Sequence, residues 1–213
     1  MAQVFSPYQM QILDCIANVH SDKELCDIRD LIAEYFSNKA LDEMEQLCKE
    51  GKLSTPVIQS WSKEHLRTAY IWLGMENIVL DTNCLIPSIK RDSIYYPIWR
   101  DFMAGKYCLC FTDEILNEYE EIIAQRTGSA DVARNIIQAI LNRTNTKHIR
   151  VYFRFELIKE DPDDNKFVDC AIKAEAKYIV SEDHHFDVLK DIKFPPVNVI
   201  GIDEFLQELQ MAK

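Results

Sequence analysis

Four short apolar runs between residues 77 and 201 constrain the fold of this chain more than any other feature. Their sequences are IVL at 78–80, YCLCF at 107–111, YIVS at 178–181 and VNVIG at 197–201. Runs of this length and character are typical of strands buried on both faces of a parallel sheet. The stretches between them have helical periodicity, as crossover connections require. The pattern therefore predicts an α/β domain over residues 75–213.

Residues 1–74 have a different pattern, helical throughout, and are predicted to form a separate helical module. Ser6 and Pro7 suit the cap and the first position of its first helix. No linker rich in Pro, Gly or Ser separates this module from residues 75–213. We therefore expect the two domains to pack together.

A second helix is predicted over residues 22–50, with Gly51 as its C-cap, and a third after Thr55 and Pro56. Apolar residues recur at helical spacing along the second helix. They are Ile28, Leu31, Ile32, Tyr35 and Phe36. The simplest interpretation is that these side chains are packing residues.

The charge balance limits how this protein could hold a polyanion. The formal net charge is −11, which argues against binding nucleic acid through a broad basic surface. A carboxylate site that recruits a divalent metal ion stays open, because the ion supplies the missing positive charge.

Cysteine usage and hydropathy indicate a cytoplasmic protein. The seven cysteines are scattered without a C-x-x-C pair, as expected of reduced, mostly buried thiols. The N-terminal segment lacks the pattern of a signal peptide, and no apolar run approaches the roughly 20 residues that span a bilayer. We expect no membrane partner.

Acidic residues lie where an open parallel sheet presents its ligand-binding edge. Asp81 directly follows the first apolar run, and Asp183 follows the third within SEDHHF. Glu118 lies in the helix after the second run, and Asp163 or Asp164 opens the helix before the third. Taken singly, each motif is also typical of a turn or helix cap. Four carboxylates in one pocket would repel each other, so together they predict a bound Mg²⁺ or Mn²⁺ ion.

These motifs resemble a known family. The segments VLDTNCLI, TDEILNEYEEII, DPDDNKFVDCAIKAEAKYIVSEDHHF and NVIGIDEFL look like a PIN domain, closest to the branch found in prokaryotic toxin–antitoxin toxins. The resemblance covers residues 77–207 and keeps the order and approximate spacing of the four acids. It implies a three-layer α/β/α sandwich with a five-stranded parallel sheet. It also implies a metal-dependent ribonuclease that cleaves RNA phosphodiesters by attack of water.

The resemblance assigns roles to six residues, which are Asp81, Asn83, Glu118, Asp164, Ser181 and Asp183. The four acids would bind Mg²⁺ or Mn²⁺, with Asp163 as the alternative to Asp164. Glu118 would either complete the metal shell or take the proton from the attacking water. Asn83 would orient Asp81 by a hydrogen bond. Ser181 holds a place where the family usually has Thr or Ser.

The SEDHHF segment departs from the family pattern. SED replaces the more usual Thr-Gly-Asp, so Glu182 adds a negative charge beside the site. His184 and His185 are interpreted as a solvated surface pair, although His184 could approach a phosphate. A zinc site is not predicted, because the cysteines lack ligand spacing and the two histidines lack matching partners nearby.

The N-terminal helices loosely resemble small helical proteins encoded beside such toxins. One hypothesis is intramolecular inhibition by residues 1–74, with Arg67 neutralising the acids in place of metal. The plainer interpretation is that residues 1–74 pack on the sheet domain or build a homodimer interface.

Two other functions compete with the ribonuclease. An aspartate-based phosphatase of the haloacid dehalogenase kind also places an Asp after its first strand, but it normally has a second Asp where this chain has Asn83. The non-enzymatic alternative is a degenerate or auto-inhibited PIN fold that serves as a binding module. The presence of all four acids argues against degeneracy.

Overall fold

One parallel sheet, with strand order β3-β2-β1-β4-β5, forms the centre of the molecule. Its strands are β1 Asn77–Leu80, β2 Cys108–Phe111, β3 Thr146–His148, β4 Tyr178–Val180 and β5 Val199–Ile200. They are seen in a computed structural model that describes residues 6–17, 19, 21–50 and 75–211. β1 is the central strand, so the residue that follows it lies at the middle of the sheet edge.

Helices flank this sheet. Those within the described residues are α1 Pro7–Cys15, α2 Asp22–Lys49, α3 Thr82–Ile89, α4 Tyr96–Met103, α5 Asp113–Thr127, α6 Ala130–Asn142, α7 Asn165–Ala174 and α8 Ile202–Met211. Two 3₁₀ helices, Pro162–Asp164 and His184–Asp191, precede α7 and follow β4. The predicted α/β/α fold with a parallel five-stranded sheet, preceded by helices, is confirmed.

The four apolar runs correspond to β1, β2, β4 and β5. Ile78, Val79 and Leu80 of β1 are fully buried, because the sheet is covered on both faces. β3 has no such run, since its sequence is Thr-Lys-His and its side chains are partly or fully exposed. An edge strand pairs on one side only, and polar residues there are common. Hydrophobicity therefore gave no signal for β3.

Helix caps fix the two turns that carry acids from the sheet edge. The Asp81 side chain accepts a hydrogen bond from Asn83 N and begins α3 directly at the end of β1. Thr112 Oγ1 accepts one from Ile115 N at 3.2 Å and begins α5 after β2. Glu118 consequently lies one and a half turns into α5, above the same edge.

The long helix α2 packs along α6 and shares its core with the sheet domain. Ala40, Leu41 and Met44 of α2 belong to the same buried cluster as β1 and β2. Polar contacts add to this packing: Ser129 Oγ donates to Glu43 Oε1 at 2.6 Å. The division of the chain into domains 1–74 and 75–213 stays a prediction.

The predicted packing face of α2 is partly wrong. Phe36 packs against the core, but Leu31 and Tyr35 are 65% and 60% exposed. Small residues, such as Ala33 and Ser37, take the buried positions because α2 lies close to its neighbours. The predicted cap Gly51, the third helix after Thr55 and Pro56, and Arg67 lie outside the described residues.

None of the described helices, which lie in residues 6–17, 21–50 and 75–211, is both long enough and apolar enough to cross a membrane.

Candidate metal centre

Asp81 and Asp183 are connected through one hydroxyl group at the sheet edge. Ser181 Oγ donates to Asp81 Oδ2 at 2.7 Å and accepts from Asp183 N at 3.0 Å. Because Ser181 directly follows β4, the neighbour of β1, the parallel pairing brings the two strand ends together. Ser181 thus fixes the orientation of the Asp81 carboxylate relative to the backbone of Asp183.

Of the two alternative aspartates before α7, Asp164 is the one that faces these acids. Asp163 is exposed, whereas the Asp164 side chain is only 16% exposed. Burial, together with the negative charges of Asp161, Asp81 and Asp183, raises the pKa of Asp164 to about 7. Ionisation of a carboxyl group near three other acids is unfavourable unless a cation lies nearby.

The ionised form of Asp81 is also disfavoured. It is 4% exposed, and burial raises its pKa to about 6, in part offset by the hydrogen bonds from Ser181 and Asn83. The charges of Glu118 and Asp183 add to the increase. The electrostatics therefore place Asp81, Glu118, Asp164 and Asp183 within one mutually repelling set.

Some of the most closely spaced potential metal ligands belong to residues that the sequence did not assign to the metal site. Within the described chain, Asp161, Asp164 and His185 offer ligand atoms that all lie within 4.8 Å of one another, as do Asp183, His184 and His185. We refer to Asp161, Asp164, Asp183 and His185 as the acid cluster. Asp81 is in neither group, and it joins the cluster through Ser181.

His185 corrects the interpretation of the histidine pair. His184 is 80% exposed, as expected of a surface residue, but the His185 side chain is only 26% exposed. The Nδ1 atom of His185 lies 3.1 Å from Asp183 Oδ1 and 3.5 Å from Asp164 Oδ2. The prediction that neither histidine has matching partners was therefore wrong. Only the 3₁₀ turn after Asp183 brings His185 back over the edge, and no periodicity signals that turn.

Glu118 has protein partners for both of its oxygens. Its Oε1 accepts a 2.6 Å hydrogen bond from Thr82 Oγ1, and its Oε2 lies 2.7 Å from Lys166 Nζ. Lys166 lies in the first turn of α7, two residues after Asp164. We refer to Thr82, Glu118 and Lys166 as the Glu118 side of the site.

Asn83 does not orient Asp81 in the predicted way. Its backbone N donates to Asp81 Oδ1 at 3.2 Å, while its side-chain Oδ1 accepts a 2.8 Å bond from Arg126 Nη2. The positive charge of Arg126 acts on Asp81. The side chain of Asn83 therefore holds a guanidinium beside the site.

Glu182 points away from the acid cluster. Its Oε1 accepts a 2.6 Å bond from Ile202 N at the beginning of α8. Burial, then the charges of Asp203, Glu204 and Asp81, raise its pKa to about 7. The Glu182 carboxylate, which was predicted to add a negative charge beside the site, therefore serves mainly to cap α8.

The residues of the acid cluster fit a divalent cation. Asp164 Oδ2 is buried from water and lacks a hydrogen-bond partner among the described residues. Carboxylate oxygens and one imidazole nitrogen are ordinary ligands of such ions. A cation there would satisfy this oxygen and reduce the repulsion that raises the pKa of Asp81 and Asp164.

Comparison with protein families agrees with this geometry. A family model described as a PIN domain matches residues 77–185, which is 109 of the 213 residues. The chain belongs to the PIN domain family. PIN domains are generally nucleases and typically use divalent metal ions. The matched segment contains every member of the acid cluster and of the Glu118 side.

The N-terminal region matches a different model. Residues 1–67 match a family of unknown function, DUF8507, which assigns no role to these helices. Searches of curated proteins and of solved structures found no match to the chain.

Proposed function

We propose that this PIN domain is a divalent-metal-dependent endoribonuclease that hydrolyses RNA phosphodiester bonds. The observation that carries the proposal is the set of buried, mutually repelling acids at the sheet edge. Asp81 and Asp164 have raised pKa values, yet within the described residues neither forms an ion pair with a lysine or arginine. Such a site is stabilised by an added cation.

Asp164 and Asp183 would hold the Mg²⁺ or Mn²⁺ ion, and Asp81, oriented by Ser181, would complete the oxygen donors on the β1 side. A bound ion would supply the positive charge that draws in a phosphate and stabilises the charge developing on it. The remaining steps fall to side chains of the chain itself.

Glu118 is the residue proposed to take the proton from the attacking water. Thr82 and Lys166 fix its carboxylate at two points, as a general base requires for orientation. Glu118 as a fourth metal ligand is the alternative, and it requires the Lys166 ion pair to break. Arg126, held by Asn83 and close enough for its charge to act on Asp81, would supply positive charge beside the phosphate.

The groove on the Glu118 side suits a single-stranded RNA. It has a volume of about 930 Å³ and runs from Glu118 past Lys166 to Arg154. A second cavity continues it past Arg150 and Tyr152. Tyr152 is 85% exposed, and an exposed aromatic between two arginines is a typical base-stacking surface. The walls also carry acids, so the phosphates of such a strand would contact the basic residues Arg150, Arg154 and Lys166.

The test is cleavage of a fluorogenic single-stranded RNA with Mg²⁺, with Mn²⁺ and with EDTA. We expect cleavage with either metal, none with EDTA, and loss of cleavage in Asp81→Asn. Glu160→Gln is the matched control, because this exposed acid is close in sequence to Asp161 but lines neither the groove nor the acid cluster. Cleavage that survives in Asp81→Asn would refute the assignment.

The same assay separates the competing functions. Turnover of p-nitrophenyl phosphate without RNA cleavage would favour the phosphatase, although Asn83, bonded to Arg126, cannot act as the second acid of that mechanism. No detectable hydrolysis of either substrate under any of these conditions would favour a non-catalytic binding module.

The N-terminal helices are proposed to form a module, residues 1–74, that packs on the PIN domain at residues 75–213. Their family match does not assign a toxin–antitoxin role. Four proposals therefore rest on the sequence alone: a toxin–antitoxin context, a cytoplasmic location, a homodimer, and inhibition by residues 1–74. Deletion of residues 1–74 is a poor test, because it removes Leu41 and Met44 from the shared core. Arg67→Gln in the full chain avoids this: inhibition predicts a gain in RNA cleavage, and unchanged cleavage contradicts it.

A further inference from the structure

His185 lies at the centre of the acid cluster. It is the residue common to both groups of closely spaced ligand atoms, one with Asp161 and Asp164 and the other with Asp183 and His184. The Nδ1 atom of His185 is 3.1, 3.5 and 3.9 Å from oxygens of Asp183, Asp164 and Asp161, respectively. Ligands that share an ion at about 2.0–2.2 Å lie no more than about 4.4 Å apart, so Nδ1 is within sharing distance of each of these oxygens. Asp161, Asp164 and His185 form one compact set of ligand atoms, and Asp183 belongs to the other.

The ring nitrogen also accepts or donates no hydrogen bond among the described residues. His185 Nδ1 is buried from water and has no hydrogen bond among the described residues, and the same is true of Asp164 Oδ2. The residue is nevertheless held firmly, because His185 N donates to Asp183 Oδ1 at 2.9 Å and its ring contacts that of His184. A fixed nitrogen and a fixed oxygen, both buried, both unbonded and 3.5 Å apart, have the character of ligands that face a shared atom.

A nitrogen ligand changes which metal the site prefers. Mg²⁺ takes oxygen ligands and retains its waters, whereas an imidazole nitrogen favours first-row transition metals. Mn²⁺ accepts both ligand types, and Asp161 and Asp164 keep the site rich in oxygen. We infer that His185 Nδ1 is a direct ligand of an ion that it shares with Asp164, and that it makes this site select Mn²⁺ over Mg²⁺. The inference rests on the proposed metal-dependent function.

The direct test is a nitrogen signal on bound Mn²⁺. The full-length chain, without a histidine tag so that only its five native histidines are present, is freed of metal with EDTA and given one equivalent of Mn²⁺. Electron spin-echo envelope modulation then shows whether an imidazole nitrogen is bonded to the ion. We expect ¹⁴N modulation in the wild type, its replacement by ¹⁵N frequencies after labelling with [¹⁵N]histidine, and its loss in His185→Gln. His184→Gln is the matched control and should retain it.

The affinities give a second, independent measurement. In His185→Gln we expect the Kd for Mn²⁺ to rise about tenfold and the Kd for Mg²⁺ to change less than about twofold. Mn²⁺ that binds the wild type without nitrogen modulation would overturn the inference but leave the proposed function intact. Equal losses of affinity for both metals in His185→Gln would also overturn it.

If Mn²⁺ does not bind, or binds Asp164→Asn as tightly as the wild type, the proposed metal centre fails as well. The wild-type spectrum decides the point even if a variant folds poorly.

Discussion

The acid cluster and the Glu118 side lie at the same sheet edge, but their charges are balanced in different ways. On the Glu118 side, Lys166 and Thr82 meet both carboxylate oxygens of Glu118 within 2.7 Å. In the acid cluster, Asp164 Oδ2 remains buried and unbonded, and it forms no ion pair with a described lysine or arginine. A carboxylate with a fixed protein cation does not need a metal, whereas one without it does. The difference supports the proposal that a metal ion binds at the acid cluster and that substrate binds on the Glu118 side.

The largest expected effect separates metal binding from chemistry. Asp164→Asn should lose Mn²⁺ binding and RNA cleavage together, each by about 100-fold or more, because it removes a proposed ligand. Glu118→Gln should lose cleavage to a similar extent but keep the Kd for Mn²⁺ within about tenfold. Titration of Mn²⁺ by electron paramagnetic resonance, beside the RNA assay, measures both.

Glu160→Gln provides the control for charge alone and should change neither quantity, because this exposed acid lies outside the groove and the acid cluster. If Glu118→Gln weakens Mn²⁺ binding as much as Asp164→Asn does, Glu118 is a ligand and the two sides of the site do not differ in this way.

The next effect is on stability. Asp81 has a folded pKa of about 6, raised from 3.8, so between these values the folded state binds more protons than the unfolded state. The free energy of unfolding of the metal-free protein should therefore fall as the pH rises from 4 to 7, by at most about 3 kcal/mol for Asp81. Asp164, with a pKa of about 7, extends this loss to higher pH.

Thermal unfolding in EDTA at pH 5.5 and 8 measures this effect. Asp81→Asn should flatten the pH dependence and raise Tm at pH 8, and Mn²⁺ should raise the wild-type Tm more at pH 8 than at pH 5.5. A wild-type Tm in EDTA that increases with pH would contradict the predicted repulsion.

Sequence reasoning predicted most of the fold for a physical reason. Strands buried on both faces must be apolar along their whole length, so β1, β2 and β4 gave a clear apolar signal. β5 is a half-buried edge strand, but its two residues, Val199 and Ile200, are also apolar. β3 has one exposed side and three polar residues, and it needed the family resemblance. The burial of α2 was mispredicted because Ala33 and Ser37 give close packing without a strong apolar signal, while exposed Leu31 gives the signal without the packing.

The candidate site was predictable only where strand topology decides it. Asp81 and Asp183 follow neighbouring strands, so the sheet alone brings them together. His185 and Asp161 come to the site through 3₁₀ turns whose direction leaves no periodic trace in the sequence. The ion pair between Glu118 and Lys166 depends on the side-chain packing of α5 against α7, which sequence spacing does not specify.

The substrate groove should show a smaller effect. Tyr152→Ala should raise KM for single-stranded RNA by about 5- to 100-fold and leave kcat nearly unchanged, since one lost stacking contact costs about 1–3 kcal/mol. Double-stranded RNA should bind equally poorly to variant and wild type. Tyr35→Ala, which removes an aromatic of α2 that is 60% exposed, is the control and should not change KM. An effect on kcat rather than KM would mean that Tyr152 acts on the chemistry.

The smallest expected effect tests the boundary between the two sides of the site. Lys166→Met removes a positive charge that balances Glu118, so the Glu118 carboxylate adds its full negative charge to the field of the acid cluster. At a separation of about 8 Å and an effective dielectric constant of about 80, one unit charge acting on a divalent ion contributes about 1 kcal/mol, so the Kd for Mn²⁺ should fall about fivefold. The gain should shrink at high salt. Lys159→Met, an exposed lysine that lines the same groove, is the control and should change the Kd little. A weaker affinity in Lys166→Met would show that Lys166 positions Glu118 for the metal, and the proposed separation of metal site and substrate groove would not hold.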